Sequence, residues 1–280
     1  MQKFRDRNFV RDIKDLIPAK NTSPHKRILA IGDVHGKFDK FKSLWKKISA
    51  TEKDLVIFLG DYIDRGSQVI ATLEWIIAQS QQKNFIFLRG NHEQMMLDSF
   101  YKQSKKAKLH WLDNGGDVTL HELIKADAED KTYLRKILTF AKNLPLYHSM
   151  TIGGRKYVFV HAGLKSNTPL EKQDNYSLLF ERPKFYDKNF GYNGKDIIIV
   201  GHTRTQKISV ENPVAPDKYS VMLNHKGKYL IGYAPRRYFK NNQPYRIPNR
   251  NILMMETGSC MRNGHISCVD ILSGELWQSD

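Results

Sequence analysis

Three short apolar runs, each closing on a cluster of reactive side chains, constrain this chain more than any other feature. Ile28-Leu29-Ala30-Ile31 leads into Gly32-Asp33-Val34-His35-Gly36. Leu55-Val56-Ile57-Phe58-Leu59 leads into Gly60-Asp61-Tyr62-Ile63-Asp64-Arg65-Gly66, and Phe85-Ile86-Phe87-Leu88 into Arg89-Gly90-Asn91-His92-Glu93. Runs of this length, bounded by glycine and charge, read as buried strands. Asp61 lies 28 residues after Asp33, and Asn91 lies 30 after Asp61, room for one strand-helix-strand unit each. Three strands therefore carry Asp, His, Asp, Asn and His at their C-terminal ends, the edge at which open α/β sheets build sites. Carboxylate, imidazole and amide oxygen are ligand types for hard or borderline divalent metals.

Between the runs the apolar period changes. Phe38, Phe41, Leu44, Trp45 and Ile48 recur at helical spacing, and residues 69–78 and 95–101 read as two further helices. Alternating strand and helix make the chain α/β. Residues 102–150 read as a helical cap, interrupted at Asn114-Gly115-Gly116 by a helix-stop or turn signal. Two later strands, 157–160 and 197–200, run into His161-Ala162-Gly163 and Gly201-His202-Thr203. Residues 254–258 and 266–272 read as the final strands. Trp45, Trp75 and Trp111 are expected in the core, and His25, His110, His121, His148, His225 and His265 as ordinary satisfied polar residues.

With 280 residues the chain can bury one large core. No apolar run approaches the roughly 20 residues that span a bilayer, and the charged N-terminus lacks the apolar core of a secretory signal. Cys260 and Cys268 make no disulfide framework, so the expected setting is cytoplasmic, away from any membrane. The net charge of +16 is concentrated in two stretches. Residues 1–27 hold eight Lys/Arg against three Asp, and residues 204–250 hold ten against Glu211 and Asp217. Such charge draws nucleic acid, anionic membranes or phosphorylated partners, or it forms a solvated face. The expected organisation is a basic extension over 1–26 and one domain over 27–280 carrying a basic insert at about 204–250. Phe9, Ile13, Leu16 and Ile17 predict a short amphipathic helix in the extension. Residues 221–223 and 228–233 predict a hairpin in the insert, which also holds Tyr219, Tyr229, Tyr233, Tyr238 and Tyr245.

The motifs GDVHG, GDYIDRG and RGNHE, in this order and followed by HAG and GHT, resemble the calcineurin-like metallophosphoesterases. Within these they are similar to the bacterial phosphoprotein phosphatases and symmetrical diadenosine tetraphosphatases. Trp111 to Leu120 resembles their WLxNGGxxTL segment, and Met254 to Gly258 their DTG ending, with Glu256 where Asp is usual. The resemblance implies two mixed β-sheets packed together and flanked by helices. It implies two divalent ions, manganese first and iron or zinc as alternatives, held by Asp33, His35, Asp61, Asn91, His161 and His202, with Asp61 the bridge. His92 would be the general acid and Asp64 its orienting carboxylate. Arg65, Arg89 and Arg182 would hold the phosphate, although Phe180 stands where the Arg182 segment usually has Trp. The implied substrate is a phosphoserine/phosphothreonine protein. A dinucleoside polyphosphate such as diadenosine tetraphosphate, or an RNA cap, is the alternative, with possible nucleic-acid contact through the insert. A non-catalytic phospho-ligand or nucleic-acid binding module is the rival of another class; inactive relatives lose a ligand or His92, and this chain keeps the full set.

Overall fold

The computed structural model describes residues 10–11, 17–165, 167–182, 196–204, 229–230, 252–262 and 264–280. Its strands are β1 (Val10–Arg11), β2 (Ile28–Ile31), β3 (Leu55–Phe58), β4 (Phe85–Phe87), β5 (Tyr147–Ile152) and β6 (Arg155–Val160). They continue with β7 (Ile197–Val200), β8 (Tyr229–Leu230), β9 (Ile252–Met254), β10 (Ser267–Asp270) and β11 (Leu276–Gln278). The helices are α1 (Phe38–Ile48), α2 (Val69–Gln79), α3 (Asn91–Tyr101), α4 (Lys105–Trp111), α5 (Asp117–Glu129), α6 (Tyr133–Asn143) and α7 (Asn175–Leu179). None is long and apolar enough to cross a membrane.

Two mixed sheets form the frame, as the motifs led one to expect. One has the order β11-β10-β2-β3-β4, with β2, β3 and β4 parallel and β10 antiparallel to β2. The other has the order β5-β6-β7-β9, with β6, β7 and β9 parallel and β5 antiparallel. Side chains alternate across a strand, and here both faces are dry. Ile28, Ala30, Leu55 and Ile57 pack between the sheets with Val158, Val160, Ile198 and Val200. Leu29, Ile31, Val56 and Phe58 pack outward under α1 and α2, against Phe41, Leu44, Leu73 and Ile76. Each such Val, Leu, Ile or Phe side chain, fully buried, contributes about 1.5–3 kcal/mol. Trp45 and Trp75 join Phe41, Phe58 and Phe85 in an aromatic cluster on this outer face; both are half-buried and pack against the core, whereas Trp111 is fully buried in it.

Several elements differ from expectation. Helix α3 begins at Asn91, so Asn91, His92 and Glu93 form its first turn. The Asn-Gly-Gly segment does interrupt the helix as its turn signal led one to expect: it lies in a π turn, Leu112–Gly116, that separates α4 from α5 at a kink, with Gly115 out of the helical region at φ 98°. Val10–Arg11 is extended and pairs antiparallel with Tyr229–Leu230, so no helix spans Phe9 to Ile17; the other residues of that expected helix before Ile17, and the expected strand 221–223, lie outside the described residues.

Candidate metal centre

The loops after β2, β3 and β4 meet those after β6 and β7. Backbone bonds carry the sheet pairing past the strand ends: His35 N–H donates to Asp61 O (2.9 Å) and Gly201 N–H to His161 O (2.9 Å). Asp61 stands in the middle. Its Oδ2 lies 3.6 Å from His35 Nε2 and 3.9 Å from His92 Nε2, and its Oδ1 lies 3.4 Å from His161 Nε2. Asn91 Oδ1 lies 2.9 Å from His161 Nε2 and 2.8 Å from His202 Nδ1. Asp33 Oδ1 accepts from the His202 N–H (3.2 Å), and Oδ2 lies 3.9 Å from His35 Nε2. All six expected ligands are thus brought together. Two sets of possible ligand atoms emerge, His35-Asp61-His92 and Asp61-His161-His202, each within 4.8 Å. Asp61 belongs to both.

The tautomers are readable from the partners. His35 Nδ1–H donates to Ile63 O (2.9 Å) and His161 Nδ1–H to Leu59 O (2.8 Å), so each ring turns its Nε2 into the cluster. Backbone strain gathers here as well. His35, Asp61, Asp64, Arg65 and His202 have φ between 49° and 71°, five of the eight non-glycine residues in that region among the described residues. Such conformations cost about 1–3 kcal/mol each and survive where the surroundings impose them. Two glycines let the backbone approach the carboxylates. A Cβ on Gly90 would fall 2.1 Å from Asp61 Oδ1, and one on Gly201 2.3 Å from Asp33 Oδ1.

The electrostatics ask for a cation. Burial, then repulsion from Asp61, pushes Asp33 up to about 7. Burial, then Asp33, pushes Glu256 well above the carboxylate range. For His161 burial acts downward, but the Asp61 and Asp33 carboxylates carry it up to about 9. Asp33 Oδ2, His202 Nε2 and Glu256 Oε2 are buried and make no hydrogen bond among the described residues. Buried atoms of this kind are costly unless a charge or donor satisfies them. The donor set, the shared carboxylate and these unpartnered atoms fit a pair of divalent ions.

Residues whose roles were not legible hold the site in shape. The Glu93 carboxylate accepts four backbone N–H groups, from Gly90 (2.9 Å), Asp61 (3.0 Å), Tyr62 (2.8 Å) and Ile63 (3.3 Å). It fastens the loop that carries Asp61; its capping spacing after Gly90 was the available signal. Glu256 is completely buried beside Asp33, and only its place in the C-terminal motif hinted at it. Asp64 accepts from His92 Nδ1–H (2.6 Å), which orients that ring. The arginines divide. Arg65 sits inside the cluster, with Nη1 2.6 Å from His35 Nε2 and Nη2 2.8 Å from His92 Nε2. Arg182 lies at the rim, donating to Thr203 Oγ1 (3.3 Å), and its charge reaches His202. Arg89 turns away. Its guanidinium donates to the carbonyls of Ala141 (3.1 Å), Lys142 (2.5 Å) and Leu144 (3.2 Å) and to Gln94 Oε1 (2.9 Å). The three carbonyls lie at the C-terminal end of α6, so Arg89 caps a helix here.

Divalent ions held by carboxylate, amide and imidazole, with a guanidinium alongside, suit the hydrolysis of a phosphate ester. The fold and site are those of a metal-dependent phosphoesterase. Comparison with known proteins gives the family: residues 26–242 match the calcineurin-like phosphoesterases, and the chain belongs to them. It is 30% identical over 195 residues to serine/threonine-protein phosphatase 1 of Salmonella typhimurium, covering 69% of this chain and 84% of that one. It is also 30% identical over 195 residues to the asymmetrical bis(5'-nucleosyl)-tetraphosphatase of Anoxybacillus flavithermus, covering 62% and 77%. A protein serine/threonine phosphatase from Saccharomyces cerevisiae shares the fold, with a TM-score of 0.50 at 19% identity, over 92% of this chain and 80% of that one.

Proposed function

We propose that this protein hydrolyses phosphoserine and phosphothreonine esters in proteins, using two divalent ions, manganese first. The observation that carries the reading is the His92–Asp64 pair, with Nδ1 held at 2.6 Å and Nε2 facing the cluster 3.9 Å from Asp61. A serine or threonine alkoxide is a poor leaving group and needs a proton as its P–O bond breaks. A positioned imidazole supplies it. A phosphoanhydride leaves as a weak base and needs that proton less, so a built donor favours the ester. The similarity to a protein phosphatase of Salmonella typhimurium supports the same choice.

What two bound divalent ions supply is a lowered water pKa and neutralised phosphoryl charge. Asp61, placed between both ligand groups, would serve the two ions; Asp33 and His35 would complete one group, and Asn91, His161 and His202 the other. His92 also lies near Asp61, but its Nδ1 is committed to Asp64, whereas Asp33 offers a buried unpartnered oxygen. Asp33 therefore takes the ligand role and His92 the acid role. Burial, with the Arg65 guanidinium, holds His92 down at about 4. An arriving phosphate dianion draws the Arg65 fork onto its oxygens and adds negative charge beside Nε2, and both effects raise the proton affinity of His92. Arg182 gives a second arm at the rim.

One observation favours a second reading. Residues 204–250 interleave ten Lys/Arg with five Tyr, and bases stack on aromatics while phosphates meet cations. A dinucleoside polyphosphate or an RNA cap would use such a segment, and a bis(5'-nucleosyl)-tetraphosphatase is among the relatives. A panel with added manganese separates the two: phosphoserine peptide, diadenosine tetraphosphate, capped RNA and an aryl phosphate. The phosphopeptide is expected to show the highest kcat/KM among the biological substrates. A higher value for either nucleotide substrate replaces the first reading by the second.

A further inference from the structure

We propose that Trp111 and Thr119, in the cap, are positioning residues for proton transfer: they fix the Asp64 carboxylate so that a single acceptor direction is left for His92. The inference rests on the reading of His92 as the proton donor.

Asp64 is completely buried, and an ionised carboxylate offers about four acceptor directions. Trp111 Nε1–H points at both oxygens, 3.2 Å from Oδ1 and 3.0 Å from Oδ2. Thr119 Oγ1–H donates to Oδ1 (2.5 Å). The Asp64 N–H donates back to the same Thr119 oxygen (2.9 Å). That returned bond sets the polarity, because a hydroxyl has one proton and this one goes to Oδ1. An indole N–H can only donate. What remains on Oδ2 faces His92 Nδ1 at 2.6 Å. No donor in the set can reverse, so His92 holds its proton on Nδ1 in the resting state and presents Nε2 to the cluster.

The geometry is built for this site rather than for packing alone. The cap approaches through the π turn, and a Cβ on Gly116 would fall 2.5 Å from the Trp111 indole. The same turn holds the neighbouring phosphate arm, since Arg65 N–H donates to Gly115 O (3.0 Å). Asp64 and Arg65 both lie in the left-handed region, at φ 71° and 67°. Thr119 and Gly115 thus anchor the N–H groups of the two strained residues in succession. A core Trp and a core Thr without this role would need neither the inward N–H nor the returned bond.

The test uses the manganese-loaded full chain with Trp111→Phe, Thr119→Val, Thr119→Ser and His92→Asn. Phe keeps a ring and removes the N–H; Val keeps the shape and removes the hydroxyl. Trp111→Phe and Thr119→Val should each lower kcat on a phosphoserine peptide about 10- to 100-fold, the range for outer-shell hydrogen-bond partners. On an aryl phosphate, whose leaving group needs little protonation, the loss should be several-fold smaller. Thr119→Ser should restore most of the rate. Added to His92→Asn, neither variant should cost further rate, because residues acting as a unit are non-additive. In the proton NMR spectrum of the zinc-loaded chain, where no paramagnetic ion broadens the signal, the low-field Nδ1 proton of His92 should move upfield in Thr119→Val. Equal losses on both substrates, full additivity with His92→Asn, or an unshifted resonance with unchanged kcat would each overturn the positioning role. The two variants remove different donors, so either one, folded, decides. If His92→Asn itself shows no dependence on the leaving group, the acid reading fails, and this inference with it.

Discussion

Asp61 joins the two halves of the site through one side chain, and its charge is what a neutral isostere would remove. Asp61→Asn keeps the shape and the bond from the His92 N–H to Oδ1, which here measures 3.0 Å. It should lose most of its bound metal on dialysis, read by elemental analysis, and turnover should fall below detection. Retention of two ions per chain would remove Asp61 from the bridging role. Glu93 offers a second test, since four backbone N–H groups converge on it. A glutamine presents one acceptor oxygen, so Glu93→Gln should destabilise the chain by about 2–3 kcal/mol in urea unfolding and weaken manganese binding. The convergence of the six expected ligand residues was legible because each lies just past a strand end, and a strand end dictates where the next two side chains can go. Trp111, Thr119 and Glu256 were not, because their roles depend on contacts between distant segments; Thr119 reaches Asp64 across 55 positions. Arg89 shows the limit from the other side. Its place after β4 locates its backbone, but a long side chain can turn either way, and the carbonyls at the end of α6 take it.

Strands buried on both faces are conspicuous as apolar runs, and β2, β3 and β7 lie inside the runs that foretold them. Strands at the sheet margins are not. β5 (Tyr147–Ile152) is mostly half-exposed and mixes His, Ser and Thr, and β11 has three half-buried residues, so neither shows an apolar period. The start of α3 was hidden because Asn91-His92-Glu93 reads as a polar loop; only the folded chain shows that its amides open a helix towards Asp61. At the opposite end of the sheet, Arg27 and Asp54 clasp the beginnings of β2 and β3. Arg27 Nη2 donates to Asp54 Oδ2 (2.7 Å) and Nε to Oδ1 (3.0 Å), while Thr51 N–H adds a bond of 2.8 Å. Burial pushes the Asp54 carboxyl up, but the bonds from Arg27 and Thr51 outweigh it and hold it below the ordinary value. A depressed folded value means stability that is full above the unfolded value of about 3.9 and is lost as pH falls through the folded one. Asp54→Asn should therefore cost roughly 2–3 kcal/mol at pH 7 and leave kcat unchanged. The gap in Tm between the two proteins should narrow progressively as pH falls from about 4 through the folded value. A gap that stays at its pH 7 size down to the lowest pH at which both proteins fold would assign the loss to packing instead of charge.

For the molecule as a whole, the uneven charge is the main feature that the site does not absorb. Residues 204–250 carry ten Lys/Arg against two acidic residues and leave the described fold two positions after His202. Their strand Tyr229–Leu230 pairs with Val10–Arg11 of the N-terminal stretch, which is also basic, so the two basic regions meet at one ladder. We propose that residues 27–280 form one domain and that these basic stretches capture an extended anionic substrate without entering the chemical step. Binding energy from outside the reacting centre then appears as kcat/KM for large substrates and vanishes for small ones. Neutralising Arg236, Arg237 and Lys240 together should lower kcat/KM for the preferred substrate of the panel and leave a small aryl phosphate nearly untouched. The loss should shrink as salt rises, because exposed charges are screened over about 8 Å at physiological ionic strength. Should the preferred substrate prove to be a nucleotide, the salt slope should also flatten in the triple variant, since each lost cation releases fewer counterions. Wild-type kcat/KM at low salt on every substrate would end the capture role and leave these charges as a solvated surface.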